Sequence, residues 1–183
     1  MKKMFFISAI LCVLMLSLNA YTNAVSEELQ SNIIRLHILA RSNSDEDQKT
    51  KLAVRDRIIE AVADIPITDT AKFLNVAQDT ANKYLDENNI DYHAKAEFGK
   101  FIFPKKVYDN ITLPKGEYTG VRVILDNGDG ENWWCVMYPP LCVTSKSDSA
   151  QAELKANLSG ESYDIITKKP RLRFKLLELF SDI

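Results

Sequence analysis

The chain has 183 residues, 46% of them hydrophobic and 26% charged, with a formal net charge of −2. That is ordinary globular composition and enough chain for one sizeable core. The weak acidity argues against a nucleic-acid binder, whose affinity comes mostly from cationic contacts with phosphates.

Residues 1–24 read as a targeting segment. Lys2 and Lys3 precede an apolar run from Met4 to Leu18 broken only by Ser8 and Ser17, and Thr22-Asn23-Ala24 places small residues at the −3 and −1 positions of a cleavage site. The run is shorter than the ~20 residues of a typical spanning helix, so a secretory signal is expected, with an uncleaved anchor as the alternative. The remainder, residues 25–183, is expected to form one domain. Its loss of Cys12 leaves two cysteines in an exported protein, and cysteine arithmetic then favours a Cys135–Cys142 disulfide.

Glu27 to Asn32 is polar and reads as a short helix or coil. Ile33 to Arg41 alternates, with Ile34, Leu36, Ile38 and Ala40 on one face and Arg35, His37 and Arg41 on the other, which predicts a half-buried strand with His37 on its wet side. Ser44, with acids following it, reads as a helix N-cap, and a helix is expected to about Ala63 with Leu52, Ile58, Ile59 and Val62 inside and Lys51 outside. A second helix, Asp69 to Glu87, would bury Phe73, Val76, Ala77, Thr80, Tyr84 and Leu85.

From Tyr92 the pattern is that of strands: Tyr92 to Phe103, Tyr118 to Leu125, and Trp133 to Tyr138. The dipeptides in Asn127-Gly128-Asp129-Gly130 predict a hairpin joining the last two. Thr144 to Thr167 reads mostly as a mobile loop, with a short helix around Ala150 to Leu158, and Lys168 to Ile183 as a closing helix. The expected fold is α+β: an N-terminal strand, two helices, an antiparallel sheet carrying a Trp-Trp-Cys hairpin, and a C-terminal helix.

The candidate chemistry is sparse. Two histidines, His37 and His93, and no closely spaced cysteine pair make a poor zinc site, so no metal or other cofactor is expected. The acids near Asn43 and Asp126 lack the glycine register of a calcium loop and read as a helix cap and a turn. Cys135 and Cys142, seven apart and bent by Pro139-Pro140, read more simply as a disulfide than as a catalytic thiol beside a histidine. No nucleophile elbow, phosphate loop or zinc-protease motif occurs. The cluster Lys168, Lys169, Arg171, Arg173 and Lys175 reads as a solvated helix face rather than a lipid contact. What stands out is Trp133-Trp134. Neighbours on a strand point to opposite faces, so one fills the core and the other needs a helix, a loop or a partner over it.

These runs resemble the stage II sporulation protein R family of endospore-forming bacteria. The resemblance rests on Arg35-Leu36-His37-Ile38-Leu39-Ala40-Arg41-Ser42-Asn43-Ser44, Lys51-Leu52-Ala53-Val54-Arg55-Asp56, Leu113-Pro114-Lys115-Gly116-Glu117-Tyr118, and above all Asn132-Trp133-Trp134-Cys135-Val136-Met137-Tyr138-Pro139-Pro140-Leu141-Cys142. Arg41 and Asn43 depart from the residues expected there, a small polar residue and Asp. The resemblance implies a non-enzymatic signalling protein, exported from the forespore across its inner membrane into the intermembrane space. There it would activate a membrane-embedded aspartic protease that processes the sigma-E precursor. The surface expected to meet that protease combines Arg35, His37, Arg41, Ser44 and Asp45 with Trp133, Trp134, Tyr138, Pro139 and Pro140. The competing expectation is an exported cell-wall hydrolase or ligand-binding module, which a deep pocket with acids converging on His37 would favour.

Overall fold

A computed structural model describes residues 2–108, 110–141 and 147–167. The elements run α1 (Lys2–Asn32), β1 (Ile34–Leu39), α2 (Asp45–Ala61), α3 (Thr70–Glu87), β2 (Ala94–Phe103), β3 (Lys106–Tyr108), β4 (Ile111–Leu113), β5 (Gly116–Leu125), β6 (Asn132–Tyr138), α4 (Ser147–Asn157) and α5 (Gly160–Thr167). The α+β class is as expected, but the sheet is mixed. Its order is β2-β5-β1-β6, with β1 parallel to β5 and antiparallel to β6, and β5 antiparallel to β2. β3 and β4 form a separate two-stranded sheet.

The expected Trp-Trp-Cys hairpin is therefore corrected: β1 lies between β5 and β6. The glycines of the connection serve a crossing over the end of β1 instead. Gly130 donates its N–H to the Ala40 carbonyl at 2.8 Å, and a Cβ on Gly130 would collide with the Ser42 carbonyl group, 2.6 Å from its carbon. Gly128 has φ +71°, a conformation glycine adopts without a side-chain penalty. Glu131 N–H donates to Asn43 Oδ1 and Lys51 Nζ to the Glu131 carbonyl, tying the crossing to β1 and α2.

One face of the sheet packs Leu36, Ile38, Val121, Val123, Ala94 and Cys135 against α2 and α3. The other packs Phe103, Tyr118 and Val136 against Val25 and Leu29 of α1, with Ile111, Leu154 and Ile166 closing over them. β1 is thus central and covered on both sides. That overturns the half-buried reading, because Arg35 is 0% and His37 7% exposed. In α2 the stripe is shifted: Thr50, Lys51, Val54 and Ile58 are buried while Leu52 is exposed. Lys51 enters because its ammonium finds the Gln48 side chain and the Glu131 carbonyl. α3 begins one residue after its cap, Asp69, and buries Phe73, Ala77, Ala81 and Leu85, as 3.6-residue periodicity demands.

Glu27 to Asn32 is the end of a 31-residue helix rather than a separate short one. It is held by Val25 and Leu29 in the core and by Glu28, which accepts from Ser159 N–H at 2.5 Å and from the hydroxyls of Ser159 and Ser162. Within the stretch expected to be mainly loop, α4 and α5 bury Ala150, Leu154, Leu158 and Ile166. The expected C-terminal helix from Lys168, with its basic cluster, lies outside the described residues.

Candidate functional site

On the face of the sheet turned away from α2 and α3, strand alternation collects a chemically unusual set. Register places Arg35 opposite Gly120 and Val136, and His37 opposite Arg122 and Trp134, with Glu97 opposite Arg122 on the outer strand β2. The His37 imidazole stacks on the Trp134 indole with ring centres 3.6 Å apart and meets Phe103 edge-on at 6.0 Å. The Arg35 guanidinium lies against both the Phe103 and Tyr118 rings, 4.3 and 4.9 Å from their centres, and the two rings meet edge to face. Gly120 leaves room for the Phe103 ring, since a Cβ there would stand 3.0 Å from it.

Arg35 also donates to the Tyr108 hydroxyl at 3.0 Å. Arg122 donates to Glu97 at 2.7 Å and lies over Phe101. Three nitrogens in this layer are buried without a hydrogen-bond partner: Arg35 Nε, His37 Nε2 and Arg122 Nε. Burial, assisted by the positive charges of Arg122 and Arg35 and opposed by a bond from the imidazole to the Asn132 side chain, lowers the His37 pKa from 6.5 to about 4. The imidazole is therefore neutral at pH 7. A catalytic histidine is oriented by a carboxylate and touches a nucleophile. Among the described residues no carboxylate, hydroxyl or thiol is hydrogen-bonded to His37 Nε2.

The strand–helix junction is engaged internally. Ser44 caps α2 by accepting Asp47 N–H at 3.2 Å, and Asp45 occupies the first turn. The Ser42 hydroxyl donates to Asp47, whose other oxygen accepts from Tyr92, and these bonds hold the Asp47 carboxyl below its usual pKa against the opposing effect of burial. Arg41 bridges Asp91 and Asp126 over the Tyr92 ring.

Of the residues expected to form one surface, Arg35, His37 and Trp134 meet in a single layer. Trp133 points to the opposite face beneath Arg55, at 5.0 Å. Arg41, Ser44 and Asp45 sit at the far end of β1, whereas Tyr138 and Pro140 line a pocket of about 510 Å³ between β6, the α2–α3 connection and α4. Pro139 is buried behind a cis Tyr138–Pro139 bond. Cys135 is buried, and its expected partner Cys142 lies outside the described residues. Arg122, Glu97 and Phe103 were missed because only the strand register reveals them. Among the described residues no cluster of three or more His, Cys, Asp or Glu could hold a metal ion.

The model of the stage II sporulation protein R family matches residues 30–148, which takes in β1 through β6 and the whole of this layer. The chain belongs to the stage II sporulation protein R family. It is 37% identical over 118 residues to stage II sporulation protein R of Bacillus subtilis (strain 168), a match covering 60% of this chain and 53% of that protein. The chain thus spans about half the length of this family relative. No solved structure matches. Almost wholly outside the matched segment, α1 is long and apolar enough to cross a membrane, and its N-terminal position is compatible with a signal sequence.

Proposed function

We propose that this chain is an exported signal passed from forespore to mother cell, which activates a membrane aspartic protease that processes the sigma-E precursor. Membership of the sporulation family over residues 30–148 carries this reading. The apolar α1 behind Lys2 and Lys3 supports export, with residues 1–24 as the signal and the rest as the signalling domain in the intermembrane space. In this reading the protein is not itself an enzyme, and it acts by binding one state of the protease more tightly than the other.

The proposed contact residues then divide by role. Arg35, His37 and Trp134 stiffen the sheet from within, while Arg41, Asp45, Tyr138 and Pro140 offer exposed or half-exposed groups at its two ends. The hydrolase reading gains nothing from the pocket beside Tyr138. Ile59, Val62, Ile65, Phe73 and Met137 line it, Glu153 is its single acid among the described residues, and His37 is not part of its described lining.

The test is reconstitution in a non-sporulating bacterium expressing the membrane protease and the sigma-E precursor. Cleavage of the precursor is expected only when this protein is co-expressed with its N-terminal segment intact. Cleavage without it, or none with both proteins folded and in place, overturns the proposal.

A further inference from the structure

β2 is an outer strand of the sheet, and its register with β5 runs without a shift from Ala94–Leu125 to Phe103–Gly116. Alternate residues must therefore turn both backbone N–H and C=O away from β5. Bonds from α3 identify which ones. Ala94 N–H donates to Asn82 Oδ1 at 2.7 Å, Ala96 N–H to Gln78 Oε1 at 3.0 Å, and Asn82 Nδ2 to the Ala94 carbonyl. The even-numbered residues face outward, and two side-chain amides one helical turn apart seal the first part of the edge. The next residue in that row of α3 is Leu74, which has nothing to offer a backbone group.

Beyond Ala96 the edge is open. Among the described residues no hydrogen bond reaches the outward backbone groups of Phe98, Lys100 or Ile102. Their side chains share the face on which Ala94 and Ala96 meet the α3 core, but they extend past its cover: Phe98 is 39% and Ile102 67% exposed. Outer strands are ordinarily blunted by proline, a bulge or repeated charge. This stretch has one lysine, held at 3.7 Å by Glu117 and largely exposed.

We infer that Phe98 to Ile102 is a docking edge that takes an extended segment of a partner protein as a fifth strand, with apolar residues flanking an acidic one opposite Lys100. A second copy of this chain fits poorly. Two-fold pairing confined to the open residues sets Phe98 against Ile102 and Lys100 against Lys100, and like charges directly opposite destabilise a strand pair. Identifying the partner as the protease rests on the function proposed above; the edge does not.

The experiment places a benzophenone amino acid at position 102 of the full chain in sporulating cells, with precursor processing followed in the same cultures. The expected adduct contains the membrane protease, its cross-linked peptide alternates apolar, acidic and apolar residues, and it disappears in Lys100→Pro. That proline removes only an outward N–H, so the ladder to β5 and the melting temperature survive, while pairing and processing fall by about tenfold or more. Lys100→Glu, which cannot disturb the backbone, should also lose the adduct. An adduct between two copies, an adduct that survives Lys100→Pro, or none at all overturns the docking edge. The expected peptide pattern from a different protein, with processing unaffected, retains the edge and removes the protease reading.

Discussion

Acidification should destabilise this domain through His37 before its carboxylates take effect. The imidazole is enclosed by Trp134 and Phe103, faces the guanidiniums of Arg35 and Arg122, and has Asn132 as its one helpful neighbour. In the unfolded chain it titrates at 6.5, and in the folded domain at about 4. The unfolded state binds the proton first, so stability is lost as pH falls through 6.5 and the loss levels off below 4. Between pH 7 and pH 5 the linkage comes to about 2 kcal/mol, a large share of the stability of a domain this size. Urea titrations of wild type and His37→Phe at both pH values measure it. Phe keeps a flat ring against Trp134 and removes the titrating group along with a buried nitrogen that has no partner. Glu28, Asp47 and Glu97, whose pKa values are lowered, add acid sensitivity to both proteins and cancel in the difference. Parallel stability–pH lines for the two proteins, or a His37 imidazole that titrates near 6.5 by NMR, would refute the reasoning.

Gly130→Ala should cost roughly 1–3 kcal/mol in a denaturation midpoint, because the new methyl meets the Ser42 backbone rather than a movable side chain. Were Asn127 to Gly130 a hairpin turn after all, the substitution would be nearly neutral. Glu28→Ala should cost roughly 1–2 kcal/mol and speed hydrogen exchange of the Ser159 and Ser162 amides, since the carboxylate serves as the N-terminal partner of α5. Unchanged exchange would mean that α5 is held without this carboxylate, by the Ser159 hydroxyl and the packing of Ile166. Non-reducing mass spectrometry of the exported protein should show the Cys135 and Cys142 peptides linked, and reduction should lower stability by ~2 kcal/mol. Two alkylatable thiols would revive a thiol reading.

How much of this was legible in the sequence depends on range. Local chemistry read well: Ser44 does cap α2, α3 begins within one residue of the expected Asp69, and each expected strand is a strand within two or three residues. Strand order did not. The Asn-Gly and Asp-Gly dipeptides encode a tight change of direction, but the same glycines serve a hairpin or a close crossing over a third strand. Only the close approach of Gly130 to the Ser42 carbonyl tells the two apart. Alternation along β1 misled for a related reason. A face bearing Arg and His looks wet until the residues brought over it are known, and those come from α1 and from the distant end of β2.

The same blindness to order governs the functional surface. Trp133-Trp134 marked the chain as sequence, because tryptophan is conspicuous and opposite-facing neighbours demand two covers. The fold supplies part of both covers itself, Arg55 over one and His37 with Phe103 beside the other, and both indoles stay half-buried. Lys100, by contrast, sits in an unremarkable alternating run. It becomes notable only when β2 proves to be an outer strand and α3 runs out of amides at Leu74. A residue that a protein conceals can be chemically vivid, and an edge it leaves open is made of backbone, which carries no residue signature. In this fold the conspicuous residues build the platform, and the plain ones at its rim are what a partner can reach.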